Sequence, residues 1–255
     1  MLGQTLVIVS DAHLGVTTPP IEEAMLDFLD CVPDLGDCLL VNGDLFDFWF
    51  GYSRVIPRRG FHVAAALAAL ARRLPVVMVG GNHDRWGNGF WDRDLGIRFE
   101  RDSVEFSVGG RRVLAIHGDG LNEPSRRSRV VHRIIMHPMT AVVYRALHPE
   151  IGLRLVDRLA PALGDHAPDA ARIAVAAIRQ REWAEARLVG DPGLGLIIMG
   201  HTHQPALLEP APGRQYLNPG AWFDGFRYAV ATGETAELRA FSPRPPPRPY
   251  PAARR

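Results

Sequence analysis

Five short polar clusters carry the residue types that could do chemistry in this chain. They are D-A-H at 11–13, G-D-L-F-D at 43–47, G-N-H-D at 81–84, H-G-D-G at 117–120 and G-H-T-H at 200–203. Together they hold five of the ten histidines, several aspartates and the amide of Asn82. Any one alone is ordinary turn chemistry, since Asp and Asn side chains readily bond nearby backbone. Jointly they are not. Burying so many polar groups without partners costs on the order of 1–3 kcal/mol each, and a bound cation removes that conflict. The donors are carboxylate, amide and imidazole with no thiolate, which argues against a structural zinc site. Imidazole with carboxylate suits Mn, Fe, Zn, Ni or Co, and a mainly oxygen set suits Mg or Ca. Seven donors are too many for one tetrahedral ion. They suit two ions about 3.5–4 Å apart with one carboxylate bridging, a pair that clamps a phosphoryl oxygen and readies a water for in-line attack.

The elements that must position these clusters are apolar runs that end in them. T-L-V-I-V (5–9), C-L-L-V (38–41) and P-V-V-M-V (75–79) read as strands leading to the first three. S-V-E-F-S-V-G-G-R-R-V-L-A-I-H (103–117) reads as a hairpin about Gly109 and Gly110, and G-L-I-I-M (195–199) leads to the fifth cluster. E-E-A-M-L-D-F-L-D (22–30) has helical spacing. So has H-V-A-A-A-L-A-A-L-A-R-R-L (62–74), with basic residues in its last turn. The alternation predicts parallel strands with crossover helices, and ligands collect at the carboxyl ends of such strands. A-L-L-E (206–209), F-R-Y-A-V (226–230) and T-A-E-L-R-A-F (235–241) are expected as further strands. Residues 122–189 read as a helix-rich insert punctuated by Pro124, Pro138, Pro149, Pro161 and Pro168, several suited to a first helical turn. The expected α/β architecture is two β layers packed face to face with helices outside and a helical cap at about 122–189. The domain spans 1–242. A Pro/Arg tail at 243–255 cannot pack a core and is expected to be disordered or polyproline-like.

Composition bounds the function. With 255 residues, 47% hydrophobic and 22% charged, the chain suits one large globular domain. A net charge of +1 gives no field to attract nucleic acid, so no such partner is expected. All 29 basic residues are Arg, which excludes a lysine nucleophile or Schiff base. Cys31 and Cys38, expected at a helix end and a strand start, make no disulfide framework and point to a reducing, cytoplasmic compartment. L-V-I-V (6–9) is too short for a signal sequence, and no apolar run reaches the roughly 20 residues of a membrane span.

In this order the five clusters resemble the motifs of the calcineurin-like metallophosphoesterases, from Asp11 to His203. The resemblance implies a four-layer α/β/β/α sandwich. It implies one metal held by Asp11, His13, Asp44 and His203, and a second by Asp44, Asn82, His117 and His201. G-D-L-F-D-F-W-F-G, G-R-R-V-L-A-I-H-G-D and G-H-T-H-Q-P-A further resemble the UDP-2,3-diacylglucosamine pyrophosphohydrolases, which carry a cap at the same point. That resemblance implies hydrolysis of UDP-2,3-diacylglucosamine to 2,3-diacylglucosamine 1-phosphate and UMP in lipid A synthesis. It also implies Mn as the ion, with Fe, Zn, Ni, Co or Mg as alternatives, and peripheral contact with the cytoplasmic face of the inner membrane. His83 is expected to donate a proton to the leaving oxygen, with Asp84 orienting it and raising its pKa. Two features depart from that group. His83 stands where its well-known members often carry Arg, and L-N-E-P-S (121–125) stands where acidic residues soon follow H-G-D.

Arg133 to Leu147 is apolar beyond what one helix face needs. It either packs on the sandwich or a neighbouring helix, or forms a groove for acyl chains. Arg126, Arg127, Arg129 and Arg133 are candidates to meet diphosphate or anionic lipid head groups, the alternative being a solvated helix face. Trp49, Phe50 and Tyr52 are candidate walls of the substrate mouth, with packing the better account of Trp49. The competing functions are a phosphoesterase of another nucleotide or phosphodiester, and a non-catalytic scaffold on the same core, which would lack ligands.

Overall fold

Alternation within single strands determines the layers. In the computed structural model, which describes residues 1–15, 17–121, 130, 133–163 and 170–244, strand β1 (Leu6–Val9) sends Leu6 and Ile8 to one apolar cluster and Val7 and Val9 to another. Strands β2 (Cys38–Asn42) and β3 (Val76–Val79) split the same way: Leu40, Val77 and Val79 join Leu6 and Ile8, and Leu39, Val41, Val76 and Met78 join Val7 and Val9. A strand buried on both faces reads as a continuous apolar run because alternate residues serve different neighbours. The register sets Ile8 beside Leu40 and Leu40 beside Val77, all parallel.

The remaining strands are β4 (Arg98–Glu100), β5 (Ser103–Val108), β6 (Arg111–Ile116), β7 (Leu196–Ile198), β8 (Ala206–Ala211), β9 (Arg214–Asn218), β10 (Arg227–Ala231) and β11 (Ala236–Ala240). One sheet runs β11-β10-β1-β2-β3-β4 and the other β5-β6-β7-β9-β8. Between them lies the cluster that joins Leu6, Ile8 and Leu40 to Val113, Ala115, Leu196, Ile198 and Leu217. Helices α1 (Pro19–Leu35) and α2 (Phe61–Ala71) cover the outer face of the first sheet through Met25, Phe28, Leu67 and Leu70. Ala184 and Leu188 of the helix Ala170–Gly190 cover the second, against Ile197, Met199 and Tyr216. The result is the expected α/β/β/α sandwich. The β5–β6 turn has positive φ at both Gly109 and Gly110, which the twist of a two-residue hairpin demands.

Before that last helix, which we call α5, come α3 (Pro138–Arg145) and α4 (Pro149–Leu163). Each begins on a proline, whose missing N–H costs nothing at a helix start. His137 Nδ1 accepts from the Met139 N–H at 3.1 Å, and His148 Nδ1 accepts from the Glu150 N–H at 3.3 Å. Among the described residues no helix is long and apolar enough to cross a membrane. Arg126, Arg127, Arg129, Pro124, Pro168 and all of the tail beyond residue 244 lie outside the described residues.

Several element boundaries differ from expectation. Helix α1 extends past residue 30 because Val32 still buries fully against the sheet, and Cys31 therefore lies inside it rather than at its end. Strand β4 is three residues long and exists through its pairing with β3, Met78 beside Phe99. Strand β9 opens with Arg and Gln, which hides it, yet it pairs with both β7 and β8 and buries Tyr216 and Leu217.

Leu40 lies between the sheets with no exposed surface. Leu40→Ala is expected to lower stability by about 2–5 kcal/mol, as buried Leu-to-Ala changes do, read from the urea midpoint. A loss well under 1 kcal/mol would contradict a packed interlayer.

Candidate metal centre

Each polar cluster begins where its strand ends, and each is held by backbone. The Asp44 carbonyl accepts from the N–H groups of Ala12 (2.9 Å) and His13 (3.0 Å), and the Gly43 carbonyl accepts from Asp11 N–H (3.1 Å). Gly200 N–H donates to the His117 carbonyl at 3.0 Å. Among the described residues, seven non-glycine positions have positive φ. Five of them are Asp11 (53°), His13 (47°), Asp44 (51°), His201 (68°) and His203 (58°). That conformation costs on the order of 1–3 kcal/mol per residue and persists where the surroundings impose it, typically at functional sites. Space is equally constrained. A Cβ on Gly81 would come within 2.1 Å of Asp44 Oδ1, and one on Gly43 within 2.4 Å of His117 Nδ1.

The side chains meet in two trios. Asp11, His13 and His203 bring one donor atom each within 4.8 Å of one another, and so do Asp44, His117 and His201. His13, Asp44 and His83 form a third, overlapping trio at the same spacing. His13 Nε2 lies 3.3 Å from His203 Nε2, and His203 Nε2 lies 3.4 Å from Asp11 Oδ1. His117 Nε2 lies 3.1 Å from Asp44 Oδ2, and His13 Nε2 lies 3.9 Å from the same oxygen. His117 Nδ1 donates to the Asn42 carbonyl at 2.9 Å. A carbonyl can only accept, so Nδ1 carries a proton and Nε2 is the nitrogen that faces the cluster and would bind a metal once deprotonated, the usual arrangement of a metal-binding imidazole. Asn82 Oδ1 is buried with no hydrogen-bond partner. An orphaned amide oxygen beside converging imidazole and carboxylate groups fits a divalent cation.

Electrostatics follow from this crowding. Burial works against the Asp44 carboxylate, yet His117 and His83 hold its pKa well below the usual range. Burial works against a charged His117, yet Asp44 holds that imidazole well above its ordinary value. His203 is raised too: Asp11 outweighs burial. Burial pushes His13 down to about 4, and burial together with His117 does the same to His201. Asp84 is pushed up to about 6 by burial and by the Asp44 charge.

Asp84 is bound closely by backbone. Its carboxylate accepts from the N–H groups of Leu45 (2.8 Å), Gly81 (2.9 Å), Asp44 (3.3 Å) and Phe46 (3.4 Å). It therefore anchors the loop that carries Asp44. The Asp47 carbonyl accepts from His83 Nδ1, and the His83 N–H donates to Asp44 Oδ1 at 3.0 Å. A fully buried carboxylate is drawn to the nearest unpaired N–H groups, and the tight loop at 44–46 supplies three of them.

Two residues near the site escaped the sequence reading. The Phe223 ring packs edge-on to His13 and His203, with centroids at 5.7 and 5.1 Å, and stays 37% exposed. Its only signal was an aromatic just past the N-P-G turn. Arg85, largely buried, pairs with Asp102, brings Nη1 to 3.7 Å from Asp119 Oδ2 and donates to Met136 Sδ at 3.2 Å. Arg133 is exposed and makes no ion pair with a described acidic residue. Trp49 is core, stacked among Phe46, Phe90 and Trp91, whereas Phe50 and Tyr52 pack on Tyr144 of α3 with centroids at 4.5 and 6.4 Å.

Metal competes with protons for imidazole nitrogen. With His117 and His203 raised above their ordinary values, metal uptake is expected to release protons, and affinity is expected to rise with pH until both imidazoles are neutral. Titration calorimetry in two buffers of different ionisation enthalpy reads this directly. Proton-free uptake at neutral pH would contradict it.

The chain is similar to known proteins over most of its length. The family model for calcineurin-like phosphoesterases matches residues 5–205. A UDP-2,3-diacylglucosamine hydrolase of Porphyromonas gingivalis is 25% identical over 252 residues, covering 91% of this chain and 95% of the relative. One from Shigella sonnei is 26% identical over 238 residues, covering 92% and 98%. A solved dimetal phosphatase from Danio rerio is 13% identical, covers 93% of this chain and 95% of its own, and gives a TM-score of 0.48. The chain belongs to the calcineurin-like phosphoesterase family and is a metal-dependent hydrolase of phosphoester bonds.

Proposed function

We propose that the chain hydrolyses the pyrophosphate bond of UDP-2,3-diacylglucosamine, yielding 2,3-diacylglucosamine 1-phosphate and UMP, a step of lipid A synthesis. The observation that carries this reading is exposed apolar surface on helices joined to the loop that follows Asp47. Ile134, Met139, Val142, Val143, Ile151 and Leu155 expose 43–62% of their surface. Helix α3 is tied to the loop after Asp47: Tyr144 packs on Phe48 and Phe50, and Arg145 Nε donates to the Gly51 carbonyl at 3.3 Å. Contiguous exposed apolar surface marks a binding site more often than chance, and acyl chains need such a surface next to a phosphoryl group. The hydrolases of that substrate named above match the chain over most of its length.

In this reading Asp11, His13, Asp44 and His203 hold one divalent ion and Asp44, Asn82, His117 and His201 the other, with Mn as the native pair. When bound, such a pair neutralises phosphoryl oxygens and lowers the pKa of a water. The protein supplies the rest. The backbone of the five loops fixes the donors before substrate arrives. His83, its Nδ1 committed to the Asp47 carbonyl, presents Nε2 to protonate the departing phosphate oxygen. Asp84 keeps the 44–46 loop in register. Residues 122–189 act as the cap, and its arginines, Arg133 among them, meet the diphosphate or anionic head groups. The enzyme works in the cytoplasm, at the inner face of the inner membrane. A second reading has its own support: His83 stands where Arg is common in the lipid A enzymes, which favours a different phosphorylated substrate.

Purified protein assayed with UDP-2,3-diacylglucosamine, bis-p-nitrophenyl phosphate and UDP-sugars without acyl chains separates the two. Preference for the acylated substrate supports the lipid reading, and equal rates with and without acyl chains would sink it. His83→Gln is expected to lower turnover by about 10²–10⁴-fold, the usual worth of a general acid, with metal content unchanged. Unaltered turnover would remove His83 from the chemistry.

A further inference from the structure

The buried face of α5 runs Ala177, Gln180, Ala184, Leu188. Three of these are apolar and pack or abut the second sheet. Gln180 is a polar residue in an apolar stripe, with no exposed surface. A leucine would suit that position for packing alone, and a buried amide is tolerated only when its hydrogen bonds are met. They are met by the metal loops. Nε2 of Gln180 donates to the Gly200 carbonyl at 3.2 Å. Its Oε1 accepts from the hydroxyls of Thr202 (3.4 Å) and Tyr216 (3.4 Å). Asn218 completes the cluster, donating from Nδ2 to the Gly200 carbonyl and to Thr202 Oγ1, both at 3.1 Å. The directions are consistent: Thr202 accepts from Asn218 and donates to Gln180.

Thr202 lies between His201 and His203, the two residues whose positive φ turns their imidazoles toward different trios. Gly118 adjoins the same amide from the H-G-D-G loop, where a Cβ would come within 2.4 Å of Gln180 Nε2. One side chain thus touches both loops that deliver His117, His201 and His203. We propose that Gln180 is a positioning residue: it sets the G-H-T-H loop from below and couples α5 to metal affinity. Outer groups that orient metal ligands typically carry 10–100-fold in affinity, and coupling between two sites works in both directions. The inference rests on the reading of His117, His201 and His203 as metal ligands.

The test uses full-length protein. Gln180→Leu, and Gln180→Met as a second variant of similar volume, are titrated with Mn(II) and Co(II) by calorimetry, with the Co(II) absorption spectrum recorded. Circular dichroism and melting of the metal-free proteins report folding. The expected result is at least about tenfold weaker binding at one or both sites and an altered Co(II) spectrum in a folded variant. Wild-type affinity and spectrum in either folded variant would overturn the proposal. In parallel, hydrogen exchange of the wild type is measured with and without Mn(II). The proposal expects metal to slow exchange in the α5 segment around Gln180, and no change there would overturn it even if both variants fail to fold. Wild-type protein that binds no metal sinks the ligand reading itself, so the two failures are distinguishable.

Discussion

Asp44 is the point on which the centre turns. Its carboxylate is almost wholly buried, in a residue with left-handed backbone, and it faces four imidazoles, those of His13, His83, His117 and His201. A charge so buried needs opposite charge and several hydrogen bonds to exist at all. Its neighbours are arranged accordingly. The His83 N–H donates to one oxygen, His117 approaches the other, and the residue's own carbonyl receives the N–H groups of Ala12 and His13 from the first cluster. All five clusters therefore meet at this one residue, His201 of G-H-T-H among its neighbours. Divalent cations held here would supply the positive charge that the imidazoles only partly provide.

Holding such a carboxylate requires rigid loops, and two buried polar devices make them rigid. Asp84 gathers four backbone N–H groups and stiffens the loop that bears Asp44. Gln180 and Asn218 clamp Gly200 and Thr202 beneath the two histidines of the last cluster. Between them the apolar interlayer of two sheets fixes the strands from which all five loops depart. Strain at Asp11, His13, Asp44, His201 and His203 is offset by that surrounding packing.

Much of this was legible in the residues because the clusters terminate apolar runs. The positions of Asp11, Asp44, Asn82, His117, His201 and His203 follow from strand ends alone, and so does the layering, since doubly buried strands read as unbroken apolar runs. What was not legible depends on contacts distant in sequence. The hydrogen bonds from the 44–46 loop to Asp84, some 39 residues away in sequence, leave no local signal in G-N-H-D. Strand β9 hides behind Arg214 and Gln215 because its stability comes from lying between two other strands. Gln180 carries no signal in the sequence, since nothing local shows that its face of the helix is the buried one. Trp49 and Phe50 are adjacent in sequence, yet one is core and the other props a helix, a difference only packing decides.

The central claim is that the five loops build one centre for two ions bridged by Asp44. Electron paramagnetic resonance of Mn(II)-loaded protein, with metal counted on the same sample, tests it most directly. The account predicts two Mn(II) per chain with an exchange-coupled spectrum, collapsing to uncoupled or lost metal in Asp44→Asn. A single ion per chain, or two magnetically independent ions in the wild type, would contradict it.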